Sequence, residues 1–87
     1  MYTIVYTKKA AADIPKLKAV KLDKKAKALI EVIRENPCKI PPPYEKLVGN
    51  LQVAYSRRIN IKHRLVYEVL EKEQTVKVIS LWTHYEF

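Results

Sequence analysis

Glycine is almost missing from this chain: Gly49 is the only one in 87 residues. Without a Gly-rich turn there is no phosphate-cradling loop, and nucleotide-cofactor readings fall with it. A single cysteine, Cys38, cannot close an internal disulfide, which points to a reducing compartment rather than a secreted, disulfide-stapled domain. The two histidines, His63 and His84, come with no CxxC spacing and no cluster of carboxylates, so neither a metal nor any other cofactor is expected. No apolar run is long enough for a signal-peptide core or a membrane span. The opening Met1-Tyr2-Thr3-Ile4-Val5-Tyr6 therefore reads as structure, and the expected location is the cytoplasm, with no membrane partner.

Positive charge is what the chain does have. Seventeen basic against nine acidic residues give a net charge of +8. Residues 1–44 hold ten basic and four acidic residues (+6), and residues 45–87 hold seven and five (+2). Such a balance suits a polyanionic partner, whether nucleic acid, a ribosomal surface or an acidic protein. It is also compatible with a surface that merely keeps the chain in solution. A hydrophobic fraction of 48% is ample for one core, and the length suits a single domain over residues 1–87.

The pattern predicts strand, two helices, then strands. Residues 2–7 alternate aromatic and β-branched types as a strand does. Thr7 is placed to cap a helix from Lys8 to about Val20, but Pro15 near its middle predicts a kink or two short pieces. Asp23 is placed to cap a second helix, with Leu22, Ala26, Leu29, Ile30 and Ile33 on its apolar face. Asn36-Pro37 ends it. The Pro41-Pro42-Pro43-Tyr44 run matches the bare PPxY pattern of peptide-module ligands, and is also a stiff connection that fixes where Tyr44 and Glu45 sit. A short strand over residues 45–47 and a turn at Gly49-Asn50 lead into strands over residues 52–59, 63–70 and 75–83, joined tightly enough for hairpins. The expected class is α+β, with two N-terminal helices on one face of a mainly antiparallel sheet.

Period two sorts the strand residues into faces. In the strand over residues 52–59, Val53, Tyr55, Arg57 and Ile59 point one way and Ala54, Ser56 and Arg58 the other; in the strand over residues 63–70, Leu65, Tyr67 and Val69 share one face and Arg64, Val66 and Glu68 the opposite one. If the helices cover one face, Arg58 and Arg64 stand on the free one. Either is equally compatible with a solvated surface group or an ion pair to Glu68. A metal-free nuclease needs a base for the attacking 2′-hydroxyl, an acid for the departing 5′-oxygen and cations for the charged transition state. Glu45, His84, Arg58 and Arg64 complete that inventory, although Glu45 also fits a rim carboxylate paired with Lys46, and His84 a surface residue near the C-terminus.

The run Glu45-Lys46-Leu47-Val48-Gly49-Asn50-Leu51, then Tyr55-Ser56-Arg57-Arg58-Ile59, His63-Arg64-Leu65-Val66-Tyr67 and the terminal His84-Tyr85, resembles the YoeB/Txe family of RelE-like bacterial toxins. The resemblance spans roughly residues 44–85 in order and spacing. It implies a RelE-like fold and a ribosome-dependent endoribonuclease acting on mRNA, the toxin of a type II toxin–antitoxin pair. Its implied partners are a YefM/Axe-like antitoxin, the ribosome and its mRNA, with room for a homodimer. By the same resemblance Glu45 is the general base, Arg58 and Arg64 flank the scissile phosphate, His84 is the general acid, and Tyr85 positions the substrate. His63 falls on the opposite face from Arg64 and reads as structural. Lys16, Lys18, Lys21, Lys24, Lys25, Lys27, Arg34 and Arg57 are candidate contacts to RNA or ribosomal phosphate. The chain departs from the family in carrying Tyr55 where Trp is common, Pro15 in the first helix, and Glu86-Phe87 after the His-Tyr pair. A binding protein without chemistry and a gyrase-poisoning ParE-like toxin are the alternatives.

Overall fold

The computed structural model describes residues 1–40, 43–48 and 53–84. Strand β1 (Thr3–Tyr6) leads into helices α1 (Lys8–Ala19) and α2 (Asp23–Glu35), followed by β2 (Tyr44–Val48), β3 (Val53–Arg58), β4 (His63–Leu70) and β5 (Thr75–His84). The five strands form one sheet in the order β1-β5-β4-β3-β2. β1 runs parallel to β5, and every other pairing is antiparallel. The α+β expectation holds. The Gly49-Asn50 turn and Pro41-Pro42 lie outside the described residues.

Thr7 caps α1 as its sequence position suggested, its hydroxyl accepting from the Ala10 N–H at 3.1 Å. Pro15 does not split the helix, which corrects the two-piece alternative. The missing N–H costs only the bond to the carbonyl of Ala11, and Ala11 is exposed, so water can take that carbonyl. Buried Ala10, Asp13 and Leu17 hold the helix down on both sides of the proline.

The cap of α2 also differs from expectation. Leu22, not Asp23, is the N-cap, with no side-chain bond. The reason is the brevity of the joint. α1 ends in a Schellman turn, with Lys21 N–H on the Lys18 carbonyl at 3.1 Å and Leu22 N–H on the Leu17 carbonyl at 2.8 Å. Leu22 then accepts from the Ala26 N–H at 3.0 Å, so one residue closes α1 and opens α2. Asp23 becomes the first helical residue, at the positive end of the helix dipole.

The core forms where the apolar stripe of α2 (Ala26, Leu29, Ile30, Ile33) and Ala10 and Leu17 of α1 meet Leu65, Tyr67, Val76, Val78 and Leu81 of the sheet. Side chains at i, i+3, i+4 and i+7 share one helix face, which is why α2 lies flat on the strands.

β5 is irregular. Its register against β4 passes from Tyr67↔Val78 to Val66↔Ser80 and then to Arg64↔Thr83, so β5 gains one residue at each of two shifts. An extra residue leaves an N–H off the ladder, and a buried N–H needs another acceptor. Asp13 of α1 supplies it: its Oδ2 accepts from the N–H groups of Leu81 at 3.1 Å and Trp82 at 3.2 Å. Lys9 Nζ, 3.1 Å from the same oxygen, and Lys16 Nζ, 3.7 Å from Oδ1, balance a carboxylate that is 1% exposed.

Candidate active site

β2, β3 and β4 bring the candidate residues into one cleft of about 230 Å³, lined by Pro43, Tyr44, Glu45, Ser56, Arg58 and Arg64. The pairings Glu45↔Ser56 and Arg58↔Arg64 explain the convergence, because paired residues on adjacent strands share a face. Arg64 Nη1 lies 3.4 Å from Glu45 Oε1; the arginine side chain is 10% exposed and the carboxylate 58%. Arg58 is exposed on the same cleft. Arg64 thus reaches Glu45 of β2 across β3. Two guanidinium groups against one carboxylate leave the lining cationic, suited to a phosphate.

His84 is the last residue of β5. Its backbone pairs with His63, and the residue before it, Thr83, pairs with Arg64. The strand thus brings the backbone of Thr83-His84 alongside the His63-Arg64 end of β4. Tyr85 and Glu86-Phe87 lie outside the described residues. His63 is buried and stacks on Trp82, ring centroids 4.0 Å apart, in agreement with a structural role. Among the described residues, no group of three or more His, Cys, Asp or Glu side chains converges as a metal site, and no helix is long and apolar enough to cross a membrane.

Arg57 corrects the list of phosphate-binding candidates. It is fully buried on the face opposite Arg58, where Nε donates to the Tyr67 hydroxyl at 3.0 Å and Nη2 to the Pro37 carbonyl at 2.9 Å. Its guanidinium also lies over the Tyr44 ring, 5.0 Å from the centroid. Burial raises the Tyr67 hydroxyl above its ordinary pKa, against the lowering effect of the Arg57 bond, so it remains a donor.

The other basic candidates separate into groups. Lys25 borders a hollow of about 420 Å³ shared with Pro43, Arg58, Ile59, Asn60 and Ile61, which joins α2 to the arginine cleft. Lys18, Lys27 and Arg34 line a groove between the helices, together with Asp23 and Glu31. Arg34 lies 3.7 Å from Glu31, and Lys16 is committed to Asp13. Lys21 and Lys24 are exposed. Sequence reading missed Ser56, Tyr44 and Pro43 as cleft walls, and missed Asp13 altogether. Period two already placed Ser56 with Arg58; nothing local pointed to Asp13.

Fold and site together define a basic, two-helix α+β domain with a carboxylate and two arginines converging on one sheet cleft. The profile of the YoeB-like toxin of bacterial type II toxin–antitoxin systems matches residues 6–85. Toxin YoeB of Synechocystis sp. is 38% identical over 66 residues, which are 76% of this chain and 74% of that protein. Among solved structures, a YoeB/ParE toxin from Agrobacterium tumefaciens superposes with a TM-score of 0.84 at 28% identity, covering 95% of this chain and 99% of that one. The heterotetrameric YoeB–YefM toxin–antitoxin complex from Staphylococcus aureus contains a chain matched at TM-score 0.78 and 34% identity, covering 98% and 99%. The chain belongs to the YoeB family of toxins of bacterial type II toxin–antitoxin systems.

Proposed function

We propose that this toxin is a ribosome-dependent endoribonuclease that cuts mRNA by metal-independent attack of the 2′-hydroxyl, and that a YefM-like antitoxin holds it inactive in the cytoplasm. The observation that carries the reading is the contact of Glu45 with Arg64 on a cleft that also presents Arg58. Glu45 takes or orients the proton of the 2′-hydroxyl. The oxygen attacks the adjacent phosphorus, and a pentavalent centre forms with one more negative charge than the ground state. Arg58 and Arg64 match that added charge, which is where a preorganised cation gains most. His84, protonated when it acts, gives its proton to the departing 5′-oxygen, and Tyr85 holds a neighbouring nucleotide. The products are a 2′,3′-cyclic phosphate and a free 5′-hydroxyl.

The ribosome positions the mRNA, and exposed lysines supply the phosphate contacts. Net charge of +8 favours an acidic or mixed-charge antitoxin segment that covers the arginines. A relative of this chain assembles with YefM. Primer-extension mapping of mRNA after adding the purified protein to translating ribosomes tests the activity, with naked RNA as the control. Ribosome-dependent cuts bearing cyclic or 3′-phosphate ends are expected. Ends with a 5′-phosphate and free 3′-hydroxyl would mean that water made the attack, and binding without cuts would leave a protein that does no chemistry.

A further inference from the structure

We infer that Asp13, remote in sequence from every residue of the cleft, is a positioning residue that sets the register at which the end of β5, Thr83-His84, lies beside His63 and Arg64. The observation is the double register shift in β5. Continued without shifts, the Tyr67↔Val78 register would set His84 opposite Ile61, in the turn that precedes β4. The two added residues draw His84 back to His63 and bring Thr83 beside Arg64. At about 3.3 Å per residue, this moves the end of β5 by roughly 6–7 Å along its neighbour. Each single shift also exchanges the two faces of a strand, and the second restores them.

Asp13 holds the second shift in place. Leu81 and Trp82 follow Ser80, the residue opposite Val66, and both give their N–H groups to the Asp13 carboxylate. The Ser80 hydroxyl accepts from Lys9 Nζ at 3.0 Å, and Lys9 reaches Asp13 as well. Trp82, fixed by its N–H, stacks on His63, the strand partner of His84. A chain of contacts thus runs from α1 through the bulged segment to the end of β5. The helix anchors it, since Ala10 and Leu17 on either side of Asp13 are buried in the core.

The consequence for catalysis rests on the nuclease reading; the geometry does not. The test uses the full chain, free of antitoxin, as Asp13→Ala and as Asp13→Asn, which keeps the shape and one oxygen acceptor. In Asp13→Ala, amide exchange at Leu81 and Trp82 should accelerate at least about tenfold, as local opening does. The cross-strand backbone NOE between His63 and His84 should weaken. Single-turnover cleavage on programmed ribosomes should fall about 10–100-fold, the usual result of a small misplacement, with ribosome affinity unchanged. Asp13→Asn should recover part of both signals, and it carries the same comparison should the alanine variant not fold. Repeating the change in a His84→Ala background separates positioning from general damage: the loss should disappear there. An unchanged strand register, or an equal loss of cleavage with and without His84, overturns the proposal. If the wild-type protein does not cleave at all, the nuclease reading fails, and exchange and NOEs alone decide the role of Asp13.

Discussion

Arg57 and Tyr67 donate to one acceptor, the carbonyl of Pro37, at 2.9 and 2.8 Å. The Arg57 Nε bond to the Tyr67 hydroxyl closes the triangle and ties the loop after α2 to β3 and β4. Its neighbour Arg58 points into the cleft on the other face. The two adjacent arginines should therefore fail in opposite ways. Arg57→Ala should destabilise the fold by about 2–4 kcal/mol, through lost buried bonds and a cavity. Arg58→Ala should change stability by no more than about 0.5 kcal/mol and slow cleavage about 10²- to 10³-fold. Urea denaturation and single-turnover cleavage of the two variants decide; equal behaviour would contradict the separation of faces.

Period two made that separation legible, since Arg57 and Arg58 had to face opposite ways whatever the fold. It could not say which arginine was buried, because the deciding acceptor is a carbonyl twenty positions away in sequence. The helices were legible from spacing, and the hairpins from their short joints. Asp13 was not legible: its N–H partners lie 68 and 69 positions away, in a bulged segment without the glycine that often marks one. The α2 cap was misread because a local rule favouring Asp23 yielded to the three-residue joint between helices.

Asp13 should also leave a mark on stability as a function of pH. Burial alone would raise its carboxyl pKa, but the Leu81 N–H, the Lys9 ammonium and the Trp82 N–H outweigh that and hold it below the usual range. A lowered folded pKa means that the ionised form stabilises the native state. That contribution is complete above the ordinary value of about 3.9 and is lost as pH falls through the folded value. Asp13→Asn should be less stable than wild type at pH 6, and the gap should narrow below about pH 4. Parallel Tm–pH curves would show that this carboxyl is not linked to folding.

Two backbone positions in the helical half carry removable cost. Pro15 lies inside α1, and Lys21 has a φ of 62°, a left-handed geometry usually given to glycine. Pro15→Ala gains up to about 3 kcal/mol of helix preference and loses about 1 kcal/mol through the freer unfolded chain. A net gain of about 1–2 kcal/mol is expected. Lys21→Gly should gain about 0.5–1 kcal/mol by relieving the left-handed turn. Both should raise the urea midpoint at constant m; a fall in either midpoint would contradict the assignment.

Lys25 is the α2 lysine that borders the hollow containing Arg58, whereas Lys24 does not line it. If phosphate from the cleft continues over that hollow, Lys25→Glu should weaken ribosome binding and lower the logarithmic salt slope by about one. Lys24→Glu should do less. The reverse order, or two unchanged slopes, would assign these lysines to solubility.

The contact between Glu45 and Arg64 makes the division of labour testable. The carboxylate is 58% exposed, so Glu45→Gln should cost under about 1 kcal/mol of stability, and any large loss of rate would be chemical. A true general base contributes about 10²- to 10⁴-fold, as does a general acid. If Glu45 abstracts the proton, Glu45→Gln and His84→Ala should lose comparable amounts of single-turnover rate. If it only orients the hydroxyl and holds Arg64, Glu45→Gln should lose much less, because the amide keeps an oxygen in the same place. Arg64→Ala should lose about 10²- to 10³-fold in either case, through the transition-state charge. A substrate with a sulfur leaving group at the 5′ position distinguishes the acid from the base, since it needs no proton to depart. It should restore much of the rate of His84→Ala and none of the rate of Glu45→Gln. Recovery of both variants on that substrate, or of neither, would refute the assignment of acid to His84 and base to Glu45.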